Sequence, residues 1–243
     1  MPTPRLRRVT KSAPGRLVGK VPHVPGASRR AEYSASTRRA LVDVAERLFT
    51  EHGYAATSLD AIVAGADVTK GALYHHYSGK QALFEAVFER VESAGAQSIQ
   101  DALTGVHDPW DKALSGLRAF LEVVRQPSYS RIVIQDGPSV LGYERFREQE
   151  EQSTFAYVLD TVRAVLNYGE WSLDDDMEHT FARIFFGAMS SSGASVSRAE
   201  DPDAAAERVE LAIGFILAGL RALADQGAEM PTVPAEPGAG PTS

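Results

Sequence analysis

Apolar positions recur along this chain at helical spacing, and no strand-like alternation persists for more than a few residues. Leu41, Val44, Ala45, Leu48 and Phe49 fall at i, i+3, i+4, i+7 and i+8, one face of a helix. Ser34 or Ser36 would cap its start, and Gly53 suits the residue just past its end. A second, short helix is expected from Thr57 or Ser58, burying Leu59, Ile62, Val63 and Ala66. Asp67 can take the left-handed conformation of a tight turn, and Thr69 can cap a third helix that runs to about Tyr77 with Leu73 and Tyr77 inward. Ser78-Gly79 breaks it, and a fourth helix begins near Lys80 and carries Leu83, Phe84, Val87, Phe88 and Val91.

The rest of the chain reads the same way. Asp108-Pro109 pairs a cap with proline at the first helical position and opens a helix to about Arg125. A short helix is expected over 130–135, then a break at Asp136-Gly137-Pro138. An amphipathic segment follows from about Tyr143 to Asn167, another from Asp174 to about Val196, and a last from Asp201-Pro202 to about Asp225. The expected fold is all-α, with about nine helices: a three-helix domain with a helix-turn-helix, and a larger helical domain. The expected divisions are a basic disordered tail over 1–33, the helix-turn-helix domain over 34–80, the larger domain over 81–226, and a disordered tail rich in Pro, Gly and Ala over 227–243.

Charge separates the two halves. The net charge of −7 is the sum of +7 over residues 1–80 and −14 over 81–243. The basic half suits a polyphosphate, because lysine and arginine displace condensed counterions from DNA. The chain has no cysteine, which excludes disulfides and thiolate sites. It has no apolar run of the ~20 residues that a membrane span needs and no secretory h-region, so a cytoplasmic protein with no membrane partner is expected.

The surface of the helix-turn-helix, about 58–77, offers matching chemistry. Two short helices joined by a tight turn let the second lie in a major groove. Lys70 supplies a cation and Thr69 a hydroxyl, Gly71 and Ala72 permit close approach, and Tyr74, His75 and His76 line the helix with polar-tipped rings. Lys80 joins a cation to a positive helix end, a site suited to phosphate. The same rings could also simply cover a helical core.

Residues 53–84, GYAATSLDAIVAGADVTKGALYHHYSGKQALF, resemble the DNA-binding segment of the tetracycline-repressor (TetR) family of bacterial regulators. Gly53, Thr57, Ile62, Ala66, Val68, Lys70-Gly71, Leu73-Tyr74, His76-Tyr77, Lys80 and Leu83-Phe84 carry the match. Asp67 stands where glycine is usual and Tyr77 where phenylalanine is usual, and a buried Tyr77 hydroxyl would need a partner. The resemblance implies that Thr69, Lys70, Gly71, Ala72, Tyr74, His75 and His76 touch bases or phosphates, that Tyr74 and Lys80 grip the backbone, and that Thr57 and Ser58 meet a phosphate. It covers about residues 34–95 strongly. Beyond them it is one of architecture, with a weaker likeness over Arg131–Phe146.

The resemblance further implies a homodimer on a palindromic double-stranded DNA operator: a repressor, not an enzyme, that a small-molecule effector releases. Candidate effector contacts are Trp110, Phe120, Tyr129, Tyr143, Phe146, Phe155, Tyr157 and His179, the large and ring-bearing residues of the middle helices. Candidate dimer contacts on the last two helices are Phe181, Phe185, Ala188, Ser192, Leu211, Phe215, Ala218 and Gly219. No cofactor and no metal are expected. Two other readings remain: a nonspecific architectural DNA binder driven by the basic tail, and a metal-dependent enzyme built on Asp175 and His179, four apart beside other acids. Acids at a helix start are also expected from the macrodipole.

Overall fold

A computed structural model describes residues 25–150, 154–171 and 173–229; the side chains of residues 25–30, Tyr143 and Glu150 lie outside that description. The described residues form ten α-helices and a π-helix, with π-helical residues also at 154–155 and no strand among them. The order is α1 (Pro25–Ala56), α2 (Leu59–Gly65), α3 (Lys70–His76), α4 (Lys80–Leu103), α5 (Pro109–Arg125), the π-helix (Tyr129–Asp136), α6 (Gly137–Leu141), α7 (Tyr143–Glu150), α8 (Ala156–Tyr168), α9 (Asp175–Ser197) and α10 (Pro202–Asp225).

Several boundaries follow from the expected cap chemistry. Ser58 accepts from the Ala61 N–H and Thr69 from the Ala72 N–H, both at 3.1 Å. Asp108, Asp174 and Asp201 cap α5, α9 and α10 in the same manner. Gly53 takes φ +78° and bends the chain at the end of α1, and Asp67 takes φ +52° in the turn between α2 and α3.

Other boundaries differ. α1 begins at Pro25 and not near Ser34, so residues 25–33 are helical where a disordered tail was expected. Proline is tolerated in a first helical turn, and Ala27, Arg29, Arg30, Ala31 and Glu32 are all good helix formers. Residues 1–24 lie outside the described residues. The chain divides into two units at Ser36–Thr37. In the first, the Ser36 hydroxyl donates to the Tyr33 carbonyl at 2.9 Å. The break expected at 136–138 is also absent: the π-helix runs directly into α6, with Pro138 in the first turn of α6. The chain turns instead at Gly142, where φ is +82°. The segment expected over 143–167 is described as α7 and α8, with 151–153 outside the description.

Within the unit from Thr37 onward, one continuous apolar cluster joins the first helices to the body of the protein. It includes Leu41, Phe49, Ile62, Leu73, Phe84 and Phe88, and continues through Val123, Val124 and Ile132. Phe49, Tyr54 and Phe84 meet as a ring trio with centroids 5.1–5.8 Å apart. Helices α5, α8, α9 and α10 complete the body and carry two further apolar clusters, one around Trp171 and one around Trp110.

Candidate nucleic-acid interface and internal cavity

The outer face of the α2–α3 pair is polar and accessible. Ser58, Thr69, Lys70, Gly71, Tyr74 and His75 are exposed, and Tyr74 presents 58% of its surface. Leu73 and Tyr77 are buried behind them. The Tyr77 hydroxyl accepts from Arg38 Nε at 3.2 Å, so the hydroxyl that distinguishes it from phenylalanine is satisfied. That bond holds the Arg38 guanidinium above its ordinary value. Lys70 lies 2.7 Å from Asp60 across the turn, and this contact raises its ammonium. Both partners are well exposed, so a phosphate can replace the carboxylate at little cost.

Three expected contacts stand deeper. Ala72 and His76 are half-buried, and burial lowers the His76 imidazole. Lys80 points back toward α1: its Nζ donates to the Ala55 carbonyl at 3.3 Å and sits 4.3 Å from the Tyr54 ring centre. Burial lowers its ammonium. Thr57 is a correction. It is buried, and its Oγ1 lies 2.8 Å from the Gly53 carbonyl oxygen and 3.1 Å from that of Leu48. Its hydroxyl is engaged with backbone carbonyls near the end of α1, so in this structure it ties α1 to the start of α2.

A polar relay connects this head to the body. The Tyr54 backbone N–H donates to Asp136 Oδ2 at 2.8 Å, and Arg131 Nε lies 3.4 Å from the same oxygen. Arg131 packs over Gly53, where an added Cβ would lie 1.9 Å from its Nη2. Further along the π-helix, Gln135 bonds Ser130 and Ser197, whose hydroxyl oxygens are 2.6 Å apart. The π-helix thus touches the end of α9 with one set of side chains and the start of the DNA-binding segment with another.

Between α4, α5, the π-helix, α8, α9 and α10 lies a cavity of about 130 Å³. Phe120 and Tyr129 line it, as expected, and so does Tyr157. The other expected contacts do not. Trp110 is 2% exposed and packs against Val165 and Leu217, one layer behind the wall. Phe146 stacks on Phe88, with ring centres 6.0 Å apart. Phe155 meets Phe186 and His179, and His179 is exposed. The Tyr143 side chain lies outside the description. Residues missed from sequence include Glu92, Trp171, Phe186, Phe181 and Phe185. The last two were expected at a dimer face, but positions 181, 185 and 189 form the inner stripe of α9. The one available signal was their four-residue spacing, which marks a face without saying what it meets.

The remaining dimer candidates do lie outward. Leu211 and Phe215 expose 75% and 82% of their surfaces, beside exposed Ala218 and Gly219 on α10. On α9, Ala188 is exposed next to Ile184 and Gly187, and Ser192 is half-buried. The acidic start of α9 serves as a cap: Asp174 accepts from the Met177 N–H at 2.8 Å. Among the described residues, no group of three metal-ligating side chains comes together. No helix there is long and apolar enough to cross a membrane.

Two family models match this chain: "Bacterial regulatory proteins, tetR family" over residues 41–87, and "Tetracyclin repressor-like, C-terminal domain" over residues 110–220. The chain belongs to the tetracycline-repressor family. The two matches fall on the helix-turn-helix head and on the helical body respectively. This TetR-family member is 26% identical over 199 residues to the HTH-type transcriptional regulator SrpR of Pseudomonas putida, covering 80% of this chain and 90% of SrpR. A solved TetR-family regulator from Pectobacterium atrosepticum is 29% identical, with a TM-score of 0.67 over 79% of this chain and 96% of that one. RolR in complex with resorcinol shares the fold at 20% identity, with a TM-score of 0.57 over 84% of this chain and all of RolR. The protein is a DNA-binding transcriptional regulator, not an enzyme.

Proposed function

We propose that this TetR-family regulator represses transcription as a homodimer on a palindromic operator and is released when a small molecule enters the cavity. The observation that carries the reading is the pairing of an exposed polar face on α2–α3 with a largely apolar cavity, the two linked by the π-helix. Ser58, Thr69, Lys70, Gly71, Tyr74 and His75 supply the DNA contacts, with Ala72, His76 and Lys80 at the margin. The apolar outer faces of α9 and α10 favour a second copy of the chain, because Leu211 and Phe215 would otherwise stay in water. A dimer also presents two recognition helices ~34 Å apart, one turn of DNA.

The small-molecule complex known for RolR supports the cavity as an effector site. Ligand and operator then oppose each other through one linked equilibrium, so each weakens the other by the same factor.

Genome-wide mapping of bound sites, followed by gel-shift titration at fixed salt, tests the proposal. The expected result is a palindromic site preferred over random DNA by ~10³ or more. Binding that lacks sequence preference and depends steeply on salt would replace this reading with that of an architectural DNA binder.

A further inference from the structure

Asp60 is an acid set among the residues that meet DNA. It lies in the first turn of α2, two residues past the Ser58 cap, and its side chain is 68% exposed. Its Oδ1 lies 2.7 Å from the ammonium of Lys70, the first residue of α3. The N-terminal residues of a recognition helix are the ones that reach base edges. The contact with Lys70 therefore puts the Asp60 carboxylate at the level of the bases, not out on the flank of the duplex.

An acid at that level has two fates. Left without a donor, it weakens every complex, because it faces phosphates of its own sign. Given a donor, it reads sequence. The major groove offers two amino groups, adenine N6 and cytosine N4. Adenine N6 sits between two acceptors, its own N7 and thymine O4, whereas cytosine N4 has an acceptor on one side only, guanine O6. A carboxylate is repelled less by the cytosine edge and pairs with it.

Lys70 changes partner in the same step. Both members of the ion pair are well exposed, so the ammonium passes to a phosphate at little cost. The carboxylate is then free as the base donor arrives, and a charge-assisted hydrogen bond replaces the ion pair. DNA without a donor at that place leaves an uncompensated anion in the groove, so the cost falls on the wrong sequence.

We infer that Asp60 determines operator specificity, its carboxylate accepting a hydrogen bond from the N4 amino group of a cytosine in each half-site. The inference rests on the operator reading above.

Site selection from a random duplex library with the full chain, followed by titration of defined duplexes at fixed salt, tests it. The parent should select cytosine at one symmetry-related pair of positions, and replacing those cytosines should weaken its binding about tenfold or more. Asp60→Ala, checked for folding by thermal melting, should cut that discrimination to about twofold or less. Asp60→Asn should move the preference toward adenine, whose N6 and N7 suit an amide, and it decides the matter if the alanine variant does not fold. A folded variant that selects cytosine as strongly as the parent overturns the inference. So does a gain of the same factor on every duplex, which would make Asp60 only a brake on Lys70. A parent that selects no sequence removes the operator reading and this inference with it. A parent with a sharp consensus that Asp60→Ala leaves intact removes the inference alone.

Discussion

Asp136 Oδ2 accepts a 2.8 Å hydrogen bond from the backbone N–H of Tyr54, across 82 residues of sequence. The bond joins the last residue of the π-helix to the short last segment of α1 that follows the bend at Gly53. Insertion of an extra residue per turn is uncommon and tends to occur at functional sites. Here the π-helix lines the cavity with Tyr129 and Ile134 and holds the DNA-binding segment with Asp136.

Asp136→Ala should leave the Tyr54 amide without its acceptor. The expected loss is about 1–3 kcal/mol of stability, with faster hydrogen exchange at Tyr54 than in the parent protein. Asp136→Asn, whose amide oxygen still accepts, should recover much of the protection. Unchanged exchange at Tyr54 in the alanine variant would show that the bond carries no weight.

Gly53 sits at φ +78° beneath Arg131. Gly53→Ala adds a Cβ in the left-handed region and in the space of the guanidinium, and about 1–3 kcal/mol should be lost in urea unfolding. Arg131→Ala in the same chain removes the steric part and leaves the backbone part. A double-mutant cycle should therefore give a coupling energy clearly different from zero.

Thr57 and Lys70 should separate in salt titrations of operator binding. Thr57→Val breaks buried hydrogen bonds and lowers the melting temperature, but leaves the slope of log affinity against log salt unchanged. Lys70→Ala leaves melting nearly unaltered and reduces the magnitude of that slope by about 1. A slope change for Thr57→Val would return Thr57 to the DNA face.

Burial, aided by His75 and Arg38, holds the His76 imidazole below its ordinary value of about 6.5. Between the folded and unfolded values the unfolded chain binds more protons, so stability rises with pH across that window. The contribution is fully present above about pH 6.5 and is lost as pH falls through the lower, folded value. Melting temperatures from about pH 7 to about pH 5 should fall more steeply for the parent than for His76→Gln. Parallel curves would remove His76 from the account.

Phe215→Glu should convert a dimer into monomers in analytical ultracentrifugation while the monomer stays folded, because 82% of that side chain is exposed within one chain. Operator affinity should then collapse, since one recognition helix reads only half a site. A variant that still sediments as a dimer would move the interface elsewhere.

Much of the fold was legible because its signals are local. Ser58, Thr69, Asp108, Asp174 and Asp201 cap helices from positions whose partners lie two or three residues away. Asp67 and Gly53 accept backbone conformations that depend mainly on their own side chains. The buried side of α3 was legible too, since Leu73 and Tyr77 share a helix side and Tyr74 lies exposed.

The sequence by itself determined the helix-turn-helix, the caps of α2, α3, α5, α9 and α10, and the division of charge. Only the tertiary structure decided that Thr57 turns inward, that Lys80 reaches back to Ala55, that Phe181 and Phe185 wall a cavity, and that Glu92 lies buried beside them. The reason is range. A periodic stripe states which residues share a face, but what that face meets depends on helices many residues away. The π-helix shows the same limit: its neighbours Ser197 and Tyr54 lie 62 residues after Gln135 and 82 before Asp136.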